Sequence, residues 1–65
     1  MQLIVNGERK DIAAARVDAL LRELEFEGTH FVVAVNYEVV QRGRWSEVQL
    51  QDGDEVEILT PRQGG

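Results

Sequence analysis

The sequence predicts an α+β fold: a mixed sheet of about five strands packed on one main helix, with a flexible C-terminal tail. Three observations predict it. Asn6-Gly7 sits between two short extended stretches, and it is a strong hairpin signal because both residues tolerate positive φ. One segment, Val17 to Leu24, carries apolar residues at helical spacing. The rest of the chain breaks into short apolar runs between turn residues and closes on an alternating strand before Pro61. Sixty-five residues make one domain. Its boundaries are placed at 1–60 for the folded body and 61–65 for the tail.

The elements follow in order. Gln2 to Val5 is rich in β-favouring residues; alternation puts Leu3 and Val5 on one face, Gln2 and Ile4 on the other. Glu8 to Ile12 returns as a polar edge strand, with Ile12 reaching the core. Ala13-Ala14-Ala15 leads into the helix, whose stripe of Val17, Leu20, Leu21 and Leu24 is a core face. Arg16 is a poor N-cap, Asp18 suits the helix dipole, and Gly28 is a natural stop. Phe31 to Val35 is apolar on both faces and reads as a central strand. Asn36-Tyr37-Glu38 turns the chain into the short strand Val39-Val40. From Trp45 to Leu50 a helical turn and an irregular loop both fit, with Trp45 covering one end of the core. Asp52-Gly53-Asp54 is a tight turn, because a calcium loop needs more oxygen ligands and a helix on each side. From Glu55 onward Val56 and Ile58 face in, while Glu55, Glu57 and Leu59 face out. The helix brings the central strand back beside the opening hairpin, and the last strand lies beside the first.

Composition excludes several function classes. Twelve acidic residues against seven basic give a net charge of −5, unsuited to phosphate backbones, so no nucleic-acid partner is expected. The apolar runs are too short to span a membrane, and Met1 to Val5 runs straight into a turn without a signal peptide. The chain has no cysteine, which removes disulfides, thiolate nucleophiles and cysteine metal sites together. His30 is the one histidine; with no second histidine or cysteine to join it, it reads as a strand-edge residue. No catalytic group and no metal ligand set is expected.

The tail carries the functional signal. Pro61 ends the strand stiffly, and Gly64-Gly65 gives a side-chain-free end that can pass through a narrow slot in a partner. Four residues beyond Pro61 reach at most roughly 14 Å. Gly65 would present its carboxylate, with Gly64, Gln63 and Arg62 inserted behind it. Ile4 and Leu59, both outward on neighbouring strands, would form a small docking patch beside the tail.

The strand order is that of a β-grasp, the ubiquitin-like roll. Within it, Met1-Gln2-Leu3-Ile4-Val5-Asn6-Gly7, Val17-Asp18-Ala19-Leu20-Leu21, Val33-Ala34-Val35-Asn36, Val39-Val40 with Arg42 and Trp45, Asp52 to Ile58, and Gly64-Gly65 together resemble the ThiS family, sulfur carriers of thiamine biosynthesis. The resemblance covers the whole chain; the uncapped helix start at Arg16 departs from it. It implies a carrier and not an enzyme. An E1-like adenylyltransferase (ThiF type) would use Mg-ATP to activate the Gly65 carboxylate as an acyl-adenylate. Sulfur from a cysteine desulfurase system would convert it to a thiocarboxylate, and a thiazole synthase (ThiG type) would accept that sulfur. No cofactor would be bound, and the setting would be cytoplasmic. Two alternatives remain open: a carrier of the molybdopterin-synthase type, which shares the Asp-Gly-Asp turn and the Gly-Gly end, and a ubiquitin-like interaction or tagging module.

Overall fold

The computed structural model describes residues 1–26 and 31–60. Its elements are β1 (Gln2–Val5), β2 (Glu8–Asp11), α1 (Val17–Glu23), β3 (Val32–Val35), β4 (Glu38–Val40), a 3-10 turn at Arg42–Arg44 and β5 (Glu55–Leu59). They form one five-stranded sheet in the order β2-β1-β5-β3-β4. β1 and β5 run parallel; every other pair is antiparallel. This is the mixed sheet and single helix that the sequence predicts, and β5 does lie beside β1.

One placement differs. β3 is not beside the opening hairpin, because β5 fills the position between β1 and β3. Val56 and Ile58 of β5 are both buried, so β5 is the strand suited to neighbours on both sides. β3 is still paired on two sides, but its run is not buried on both: Val32 is exposed on the face away from the helix.

The core lies between that helix and the inner sheet face. Leu3, Val5, Val33, Val56 and Ile58 from the strands meet Val17, Leu20 and Leu21 from α1, with Ile12 and Leu50 closing the sides. Leu24 only borders this cluster. Trp45 is buried at one end, as expected of a cover. Its ring lies 5.2 Å from that of Phe31 and nearly parallel to it, and its indole N–H donates to the Val40 carbonyl at 3.1 Å. Packing and a satisfied polar tip together fix a large side chain. No helix among the described residues is long and apolar enough to cross a membrane.

Both ends of α1 have specific solutions. Arg16 stands at the N-cap in extended conformation and makes no side-chain cap. Carbonyls from the 45–48 loop replace one: Val17 N–H donates to Val48 (3.2 Å) and Asp18 N–H to Trp45 (3.1 Å). Glu23 reaches back to accept from the amides of Ala13 and Ala14 at 3.2 and 2.9 Å. The first two orphan donors of the helix are thus met by tertiary structure, and the third, Ala19 N–H, donates locally to Asp18 Oδ1 at 2.8 Å. The helix ends before Gly28, which lies outside the described residues together with His30. The stop is at Glu25, whose φ is +66. Phe26 N–H donates to Leu21 and Glu25 N–H to Arg22, the paired bonds of a Schellman motif, here closed by a residue with a side chain.

Candidate functional site

The site is built around β5, the strand that leads toward the tail. Two asparagines clamp it, one at each hairpin turn. Asn6 has a φ of +50 at the β1–β2 turn. Its side-chain oxygen accepts from Ile58 N–H at 2.8 Å and its amide donates to the Ile58 carbonyl, so one side chain extends the β1–β5 ladder past the end of β1. Asn36, at the β3–β4 turn, donates its backbone N–H to Glu55 (2.7 Å), accepts from Glu55 N–H (3.0 Å) and donates to the Asp54 carboxylate (3.1 Å). The Asp52-Gly53-Asp54 turn is fixed in the same region: Asp52 accepts from Gln2 N–H at 2.6 Å and Asp54 from Gln51 N–H at 2.9 Å. Both ends of β5 are therefore tied to the sheet.

Leu59 points outward and is 61% exposed. Its cross-strand partner is Val32, 46% exposed, which lies on the same face. Ala34, next along β3, stands between Glu57 of β5 and Val39 of β4, and Val39 is 64% exposed. The outer face thus holds an apolar patch of Val32, Val39 and Leu59 across three adjacent strands. Ile4 is not part of it. It is half-buried and pairs with Glu55, four residues along β5 from Leu59, about 13 Å at strand spacing. Alternation assigned Ile4 and Leu59 to one face correctly; the parallel register puts them at opposite ends of it. Leu59 stays in the patch and Ile4 leaves it.

Val32 and Val39 were the residues that sequence reasoning missed. Their signal was present, since a strand apolar on both faces must expose one of them wherever only one helix is available to cover the sheet.

Beside the patch the face turns acidic. Glu55 and Glu57 share it, and Tyr37 leans over them from the β3–β4 turn, 81% exposed. The phenol is held above its ordinary pKa, first by hydrogen bonding to Glu55, then by the negative charge of Glu55, with smaller contributions from desolvation and Glu57. Among the described residues no group of three His, Cys, Asp or Glu side chains is placed to hold a metal ion. The outer face thus has an apolar centre and an acidic flank. Arg62, Gln63, Gly64 and Gly65 lie outside the described residues.

Known proteins share this fold. The model of the ThiS family matches residues 3–65. The sulfur carrier protein ThiS of Escherichia coli is 30% identical over 66 residues, covering 100% of both chains. A thiazole synthase of Paramagnetospirillum magneticum is 36% identical over 66 residues; this chain is matched throughout but spans only 20% of that protein's length. Among solved structures, the crystal structure of the thiamine biosynthesis protein ThiS from Geobacter metallireducens superposes with a TM-score of 0.84 at 33% identity, covering 100% of each chain. A solution structure of a thiamine biosynthesis protein from the same organism gives 0.81, covering 100% of this chain and 88% of that one. The match of fold and of sequence runs through the same residues, and the chain belongs to the ThiS family.

Proposed function

We propose that this protein is a sulfur carrier of thiamine biosynthesis, with the Gly65 carboxylate as the carrying group. The observation that supports it most is the end-to-end match to the Escherichia coli carrier, over 100% of both chains. The chemistry needs little from the folded body. A carboxylate is a poor electrophile. Attack of its oxygen on the α-phosphorus of Mg-ATP, in the active site of an E1-like adenylyltransferase, releases pyrophosphate and leaves an acyl-adenylate. The terminal sulfur of a persulfide, supplied by a cysteine desulfurase, then attacks the acyl carbon and AMP departs. Cleavage of the resulting acyl disulfide by a thiol leaves the thiocarboxylate. The carrier brings no general acid or base to these steps and is a co-substrate, not a catalyst. A chain without cysteine offers no competing thiol for the sulfur.

The acceptor in this reading is a thiazole synthase. Its support is the relative of that name, in which a segment like this chain makes up a fifth of the protein. Docking is assigned to Leu59, Val32 and Val39 on the outer face, with Arg62, Gln63 and Gly64 contacting the partner's channel. The setting is the cytoplasm, where ATP and persulfide donors are at hand. The test is deletion of Gly65. The shortened chain keeps its circular dichroism spectrum and loses thiocarboxylate formation and thiazole synthesis by about 100-fold or more, since the reacting carbon moves one residue out of reach. A shortened chain that still supports thiazole synthesis contradicts the proposal.

A further inference from the structure

Each hairpin turn of this sheet carries an asparagine that hydrogen-bonds β5 or the turn before it, but the residue that follows the asparagine differs. At β1–β2 the pair is Asn6-Gly7, with φ of +50 and +83; at β3–β4 it is Asn36-Tyr37, with φ of +52 and +68. The difference matters chemically, because asparagine is thermolabile. In a free chain the main-chain nitrogen of the next residue attacks the side-chain carbonyl carbon and expels ammonia. Glycine has no Cβ and leaves that nitrogen uncrowded, whereas a tyrosine side chain shields it. Asn6 is exposed, so water and base reach it and burial gives it no protection. What restrains it is geometry. Its Oδ1 accepts from Ile58 N–H at 2.8 Å and its Nδ2 donates to the Ile58 carbonyl at 3.4 Å, so both polar atoms of the amide are held on β5. Its main chain is held as well, by the two-residue turn and the Val5–Glu8 pairing that closes it.

We propose that Asn6 is a self-modification site held closed by its own hydrogen bonds to Ile58: it deamidates only in molecules whose β5 end has opened, and the product cannot rebuild the clamp. Cyclisation needs rotation about the Cα–Cβ bond and the main chain of Asn6, and the clamp and the turn fix both. Once β5 lets go, the Gly7 nitrogen bonds to Asn6 Cγ, the Cγ–Nδ2 bond breaks, and the Gly7 amide proton leaves with Nδ2 as ammonia. Water then opens the cyclic imide. Attack at Cγ gives aspartate. Attack at the main-chain carbonyl gives isoaspartate, in which the chain runs through Cβ and Cγ. Either product lacks the donor that Asn6 offers to the Ile58 carbonyl. The isoaspartate also adds a methylene to a two-residue turn whose length sets the β1–β2 register. Opening of the strand end is thereby recorded as a permanent loss of its tie to β1.

The experiment incubates the full chain at mildly alkaline pH, native and unfolded in guanidinium chloride, and follows each asparagine by peptide mass spectrometry. Trypsin cuts after Arg9, so Asn6 and Asn36 report in separate peptides. Conversion replaces an NH2 group by OH, and fragmentation separates isoaspartate from aspartate. In the unfolded chain Asn6 converts to both products and Asn36 far more slowly. In the native chain Asn6 conversion is expected to slow by about tenfold or more, the reduction set by how rarely that strand end opens. Hydrogen exchange of Ile58 N–H supplies the second readout. At guanidinium concentrations below the unfolding midpoint, Ile58 exchange and Asn6 conversion rise together. The purified isoaspartyl form, returned to native buffer, is expected to melt lower by roughly 4–8 °C or not to refold. Native and unfolded chains that lose Asn6 at the same rate overturn the inference, as does conversion of Asn6 while Ile58 N–H stays protected. An isoaspartyl form with the wild-type Tm overturns the claim that the clamp is lost.

Discussion

Tyr37 is the one tyrosine of the chain, so phenolate absorbance reports on it alone. Glu55 stabilises the protonated phenol and disfavours the phenolate, so the folded pKa lies above the unfolded value. The sign of the linkage follows. Below the unfolded value both states hold the proton and stability does not change with pH on this account. As pH rises above it, the unfolded state gives up its proton first, and stability falls until the folded group has titrated as well. The expected outcome is a phenolate titration of the native protein displaced to high pH, which Glu55→Gln moves back down. An unmoved titration in that variant would show that the ring does not lie against Glu55. The two asparagines act at the same scale. Each was legible in the sequence as a turn residue, Asn6 on the ground that it tolerates positive φ. That each also hydrogen-bonds β5 was not legible, because the partner residues are 52 positions away for Asn6 and 18 or 19 for Asn36.

At the scale of elements, the strands and the helix were readable because each carries its own period. Leu3 and Val5, then Val56 and Ile58, alternate; Val17, Leu20 and Leu21 recur at three and four. The helix ends were not readable in the same way. Its start is completed by carbonyls of Trp45 and Val48, which no local pattern announces, and its stop is closed by Glu25, a residue with little preference for the left-handed region. Gly28 drew attention because glycine is the usual residue there; backbone hydrogen bonding from Phe26 and Glu25 decides the matter earlier. A direct prediction follows from that φ of +66. Glu25→Gly stabilises the protein by about 1 kcal/mol, since the exposed side chain gives up a strained conformation and no buried contact. Thermal denaturation checks it, and a lowered Tm would mean that the Glu25 side chain contributes more than its backbone costs. The outer-face patch was half readable for a related reason. Alternation tells which face a residue takes, but only register tells how far along that face two residues lie, and Ile4 and Leu59 part company there.

The described body is a small core between one helix and one sheet. At about 0.05–0.15 kcal/mol per residue, a chain of 65 residues has a total stability of about 3–10 kcal/mol. No disulfide adds to it. Leu20 is fully buried between α1 and the sheet, and its truncation removes about 2–5 kcal/mol. Leu20→Ala is therefore expected to unfold at a greatly reduced denaturant midpoint, with a substantial unfolded fraction in water if the total lies at the low end; a midpoint close to wild type would show that α1 is not the lid of the core. Such a body has one task in this account, to present Leu59 and its neighbours to a partner so that six more residues bring a carboxylate to the chemistry. The measurement that tests this most directly is the intact mass of the protein before and after incubation with Mg-ATP, an adenylyltransferase and a persulfide donor. Fragmentation of the C-terminal peptide is needed, because oxidation of Met1 adds nearly the same mass as exchanging oxygen for sulfur. The account predicts a gain equal to that exchange, located on Gly65. An unmodified Gly65, in a mixture whose enzymes convert another carrier, would contradict it.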